Sequence, residues 1–154
     1  MIKKAALAFA GVVVAGGVAL AIAIFWHIDR HRTSDSAADA TFAEVRHRLV
    51  NAQPLLIVDD QLQLIVRRDA PASGRPIAVL HTLAYTSRTH AFVRADFPRW
   101  LLDCVTAGGY IRLLNIDIIQ KNGERLTLAD LDRHGPGLIF DARLPTGRTL
   151  VWTE

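Results

Sequence analysis

Twenty-two consecutive residues, Ala5 to Trp26 (AALAFAGVVVAGGVALAIAIFW), contain no charged side chain and no Asn, Gln, Ser or Thr. At a rise of about 1.5 Å per residue they form roughly 33 Å of helix, which matches the hydrocarbon thickness of a bilayer. Phe25 and Trp26 close the run where interfacial aromatic anchors sit. The expectation is an uncleaved single-pass transmembrane helix. A cleaved signal peptide, with Ala21-Ile-Ala23 as its site, is the competing expectation. Its apolar region would ordinarily run about 7 to 15 residues with a polar stretch before the site, and this run is longer and has none.

Charge is concentrated beside this segment. The chain has 18 Lys and Arg against 15 Asp and Glu. Lys3, Lys4, Arg30 and Arg32 flank the apolar run together with Asp29, so residues 33–154 hold 14 charges of each sign. A neutral domain argues against nucleic acid as a partner, since phosphate recognition needs a concentrated basic face. The short basic tail before the span favours a cytoplasmic N-terminus. Arg30 and Arg32 pull the other way, but less strongly than a tail of four residues. The domain is therefore expected outside the inner membrane, in the periplasm of a Gram-negative cell. Within the span, Gly11, Ala15, Ala19 and Ala23 recur every four residues as a stripe of small side chains against which another helix could pack.

The organisation expected is an anchor with basic flanks over 1–32, a polar linker over 33–40 (TSDSAADA) and a small domain over 41–154. Thr41-Phe-Ala-Glu44 reads as a capping box opening a helix to about Gln53, with Pro54 after it. Leu55 to Val58 is an apolar run, Asp59-Asp60 a turn, and Leu62, Leu64 and Val66 alternate with polar residues as in a half-buried strand. Ile77–Tyr85 and His90–Phe97 form a hairpin. Asp96 and Pro98 open a short helix carrying Trp100, Leu101 and Cys104, stopped by Gly108-Gly109. Tyr110–Gln120 is a strand before an Asn-Gly turn, and Thr127-Leu-Ala-Asp130 is a second capping box. A hairpin, Leu138–Arg143 and Arg148–Thr153, closes the chain. This order of elements is that of an α+β fold with a mainly antiparallel sheet and short helices.

Candidate functional groups are few. Pairing Thr86 with Thr89 would place His81, Tyr85, His90, Phe92, Arg94 and Asp96 on one side of the first hairpin. Leu80, Ala84, Ala91, Val93 and Ala95 would lie on the other. The first set mixes aromatic, basic and acidic groups as binding surfaces do; the plainer expectation is a solvated sheet face with ordinary cross-strand pairs. His81 and His90 lie four rungs apart in that register, about 13 Å, too far to share a metal. His27 and His31 are spaced for one helical face, yet no third ligand accompanies them. Asp59-Asp60 fits a turn better than an acid–base pair, and Cys104 fits a packed thiol, since nothing in the sequence supplies a converging base. No metal, cofactor or catalytic residue is expected. The reading is a non-enzymatic, membrane-tethered interaction module or accessory subunit whose partner is another membrane or envelope protein. An envelope enzyme using His81, His90 or His134 with an Asp, or a structural subunit held through its transmembrane stripe, are the alternatives.

The full-length protein is expected to keep its N-terminus and stay with membranes after carbonate extraction. N-terminal sequencing of a soluble form starting near Ile24 would overturn the anchor.

Overall fold

The computed structural model describes residues 19, 21–58, 64–69, 72–106 and 126–154. The fold over these residues is α+β, with a mainly antiparallel sheet and short helices. Five strands, β1 (Ile28–Arg32), β4 (Val79–Thr86), β5 (Ala91–Pro98), β6 (Gly137–Leu144) and β7 (Gly147–Thr153), form one sheet in the order β1-β5-β4-β7-β6. All its pairings are antiparallel. β2 (Leu56–Val58) and β3 (Leu64–Val66) make a separate two-stranded ladder. From residue 28 onward, three helices accompany them among the described residues: α1 (Asp35–Arg48), α2 (Arg99–Val105) and α3 (Leu128–His134).

The sheet has a core on each face. On one side α1 lays Ala38 and Phe42 over Leu83, Tyr85, Phe92, Leu150 and Trp152. On the other, Leu102 of α2, Leu131 of α3 and Leu55, Leu56 and Val66 of the small ladder cover Leu80, Phe140 and Val151. β4 thus buries both alternating sets of its side chains, with Leu80, Thr82, Leu83 and Tyr85 all at 1% exposure or less. A β-bulge between Leu138 and Phe140 lets β6 feed both sides, Leu138 packing under α1 and Phe140 against the opposite core.

Several expectations change in register or extent. The first helix begins at Asp35, not Thr41. Ser34 is its N-cap, accepting from the Ala37 amide at 3.3 Å, and the alanines that follow propagate the helix well. Thr41 sits inside it and donates its hydroxyl to the Ala37 carbonyl. The stretch expected as a linker over 33–40 is therefore mostly helix. Ile28–Arg32, expected as a membrane flank, is the edge strand of the sheet and pairs with Ala91–Ala95. The hairpin turn is four residues, Ser87 to His90, so Tyr85 faces Phe92 and His81 faces Asp96. His90 supports that turn with a positive φ of 52°. The helix after Pro98 starts as expected, but without a side-chain cap.

The capping box at Thr127 is present in both directions, and β6 and β7 form the closing hairpin. Gly147 enters β7 so close to β4 that an added Cβ would stand 2.4 Å from the Tyr85 carbonyl. Among the described residues no helix is long and apolar enough to cross a membrane. Most of the apolar segment lies outside them, as do Asp59-Asp60, the expected strand Tyr110–Gln120 and its Asn-Gly turn. Residues 21–26 are helical.

Phe42 is fully buried and meets Phe92 edge-to-face at 6.2 Å. Phe42→Ala should destabilise the domain by about 3–5 kcal/mol, as large-to-small changes in packed cores do. Urea unfolding of the two proteins checks this.

Candidate functional site

The mixed face of the β4–β5 hairpin is divided by α1. Under the helix, Tyr85 and Phe92 are core residues. The Tyr85 hydroxyl donates to Asp35 Oδ1 at 2.5 Å, and His90 Nδ1 lies 3.0 Å from the same hydroxyl. The phenol has one proton to give, so His90 donates to it. The Asp35 carboxylate and burial push the Tyr85 phenol up to about 12. Asp35 is the first residue of α1, so this cluster fastens the start of the helix to the hairpin. Further along α1, Arg46 makes a two-pronged contact with Asp141 at 2.5 and 2.7 Å, which raises the guanidinium pKa, while Asp39 pairs with both Arg143 and Arg148.

Beyond α1, at the end of the sheet where the chain enters at Ile28, the second cluster lies open at its rim. His81 Nδ1 is 2.6 Å from Asp96 Oδ1, and Arg94 Nε donates to the other oxygen of Asp96 at 3.2 Å. The His81 ring stacks on Trp152 at 4.9 Å, and Glu154 Oε2 faces its Nε2 at 3.7 Å. His81 and Asp96 come together because they are direct cross-strand partners, and Trp152 is the neighbour of His81 on β7.

A His–Asp pair at this distance suggests a general base. For that work the far nitrogen must reach a proton on a substrate. Here Nε2 is sealed from solvent, with no hydrogen-bond partner and the Glu154 carboxylate beyond hydrogen-bond range. The arrangement suits a different task. It clamps the ends of β4, β5 and β7, with the imidazole as the shared element.

Of the six residues expected on one open face, the structure brings His81, Arg94 and Asp96 into this cluster. It places Tyr85 and Phe92 under α1 and His90 at its edge. Sequence reasoning missed Glu154 and Trp152, which reach the cluster only through the β4–β7 pairing. His27 and His31 do not share a helical face: His27 follows the helical turn, and His31 lies in β1 against Phe92. Cys104 is exposed rather than packed, because Leu101 and Leu102 are the α2 residues turned to the core. Among the described residues no group of three or more His, Cys, Asp or Glu side chains could hold a metal.

His134, the third candidate histidine, is half-buried on α3 beside Leu55, Arg67, Arg68, Asp130 and Arg133. Its Nε2–H donates to the Leu138 carbonyl at 3.1 Å. Burial lowers its pKa, the charge of Arg67 adds to that, and the hydrogen bond opposes both. Burial alone would raise the neighbouring Asp130 carboxyl, but contacts from Arg68 and Thr127 hold it below the usual range. No protein-family model, curated protein or solved structure matches the chain.

A histidine whose folded pKa lies below its unfolded value favours folding most above the unfolded pKa, and that contribution fades as pH falls through the folded value. Stability should therefore decline as pH drops below about 6.5, and His134→Gln should flatten that acid limb. Urea unfolding midpoints between pH 7.5 and 5.5, in roughly half-unit steps, provide the measurement.

Proposed function

We propose that the protein is a membrane-tethered, non-enzymatic interaction module. Residues 5–26 cross the inner membrane, and the α+β domain faces the periplasm. The observation that carries this reading is the junction at residues 26–28. The helical turn ends at Trp26, His27 caps it by placing Nδ1 2.7 Å from the Ala23 carbonyl, and Ile28 is already paired with Ala95 in the sheet. The Asp96 amide donates to the His27 carbonyl at 3.0 Å, so the pairing begins at the first residue after the turn. A domain joined to its anchor in this way presents its surface at a set height and angle, which suits an accessory subunit that meets a neighbour in the same membrane.

Two features support partner binding over chemistry. The polar clusters on the sheet are spent on holding strands and α1 together. Meanwhile Ile57 and Ile65, directly opposed in the β2–β3 ladder, are left 36% and 42% exposed. An exposed aliphatic pair on a small ladder is a suitable contact for an envelope protein, with Gly11, Ala15, Ala19 and Ala23 as a second contact inside the bilayer.

Two measurements test the reading. A periplasm-specific reporter fused after Glu154 should be active. Capture from native membranes in mild detergent should recover one envelope protein in fixed proportion to the bait, and Ile57→Lys with Ile65→Lys should abolish it without shifting the unfolding midpoint. A reporter active only in the cytoplasm, or capture unchanged by the double substitution, would count against it.

A further inference from the structure

We infer that the domain has a second membrane contact, in which Trp100 on α2 inserts at the headgroup level of the bilayer entered by residues 5–26. The inference rests on the reading of that segment as an anchor. Of the eight large apolar side chains exposed among the described residues, Ile22, Phe25 and Trp26 lie in the helical turns just before the sheet, and Trp100 meets His27, the residue that follows them. The first three belong to the apolar segment itself. Trp100 is 74 residues further along the chain and reaches the same place through the fold.

Three contacts bring it there. β5 ends beside β1, with Ile28 opposite Ala95, so the chain leaves β5 at the end of the sheet nearest the anchor. The Arg99 amide donates to the Ala78 carbonyl at 2.8 Å, which ties the first residue of α2 to the sheet. The Trp100 ring then meets His27 edge-on, centroids 6.2 Å apart, and His27 directly follows Trp26. Trp100 therefore lies within one side chain's reach of the point where the apolar segment ends, and is 53% exposed.

The chemistry of the occupant follows from the side chains. Indole rings concentrate at headgroup depth, where the ring body meets acyl chains and the N–H meets water. The cation next to Trp100 is already satisfied, because Arg99 pairs with both Asp103 and Asp132. Bringing this corner against lipid headgroups leaves no unpaired arginine there. A protein partner would have to share this corner with the bilayer surface, one residue from Trp26. The lipid interface is already in place.

The chain's one cysteine supplies the probe. Cys104 is exposed and lies one helical turn after Trp100, on the same face of α2. The full-length protein would be labelled at Cys104 with a small fluorophore and reconstituted into phosphatidylcholine vesicles carrying headgroup spin-labelled lipid as quencher. A control carries Arg88→Cys in a Cys104→Ser background. Arg88 lies in the turn at the far end of β4, a strand of 8 residues or roughly 26 Å.

Quenching at position 104 should exceed that at position 88, and Trp100→Ser should lower it at 104 by about twofold while leaving position 88 and carbonate-resistant membrane association unchanged. Quenching at 104 that Trp100→Ser leaves unchanged, or that equals quenching at 88, in a protein that resists carbonate would overturn the second contact and leave the anchor standing. Loss of the protein into the carbonate wash would overturn both. Unfolding midpoints of Trp100→Ser and Cys104→Ser close to that of the parent show that the readout reports position.

Discussion

Strand β4 has no free face, and the rest of the molecule is arranged around that fact. A central antiparallel strand with Leu80 and Thr82 sealed on one side and Leu83 and Tyr85 on the other needs cover from two directions. α1 provides one cover. The other is assembled from α2, α3 and the β2–β3 ladder, separate pieces of chain that meet on Leu80, Phe140 and Val151. Sheet faces that bury apolar area on both sides supply most of the favourable free energy of such a domain. The bulge in β6 is the local adjustment that lets one strand serve both layers.

Polar groups on the α1 side follow from the same geometry. α1 covers Leu83, Tyr85 and Phe92 but leaves Arg94 and Asp96 uncovered, so the face splits into a dry part and a rim. In the dry part, Tyr85 needs a partner for its hydroxyl, and Asp35 at the helix start supplies one. At the rim, His81 and Asp96 pair with each other, and Arg94 donates to the second oxygen of Asp96. Both arrangements look like functional dyads when read pair by pair. Each is explained by where the helix ends.

The edge strand β1 links fold to placement. Its residues, Ile-Asp-Arg-His-Arg, are mostly exposed and charged, which protects an open sheet edge from pairing with other chains. The same strand begins two residues after Trp26, with only His27 between, so the edge of the sheet is also the attachment point of the apolar segment. The same edge brings α2 and Trp100 to the attachment corner.

Local chemistry was legible along the chain wherever it depended on neighbours in sequence. The Thr127–Asp130 capping box, the final hairpin, the helix after Pro98 and the antiparallel α+β character all follow from patterns spanning a few residues, where side-chain period and cap spacing act directly. The apolar run Ala5–Trp26 is of the same kind, a property of composition alone. What needed the tertiary structure was every feature set by which strand lies beside which. A four-residue turn moved the hairpin register by two, Ser34 outcompeted Thr41 as the cap, and Ile28–Arg32 changed from charged flank to edge strand once β5 offered it a ladder. Alternation along β4–β5 separates two sets of side chains but cannot say which set a helix will cover. That was decided by α1 settling over Tyr85 and Phe92, because burial depends on contacts between residues far apart in the chain, and no local pattern encodes them.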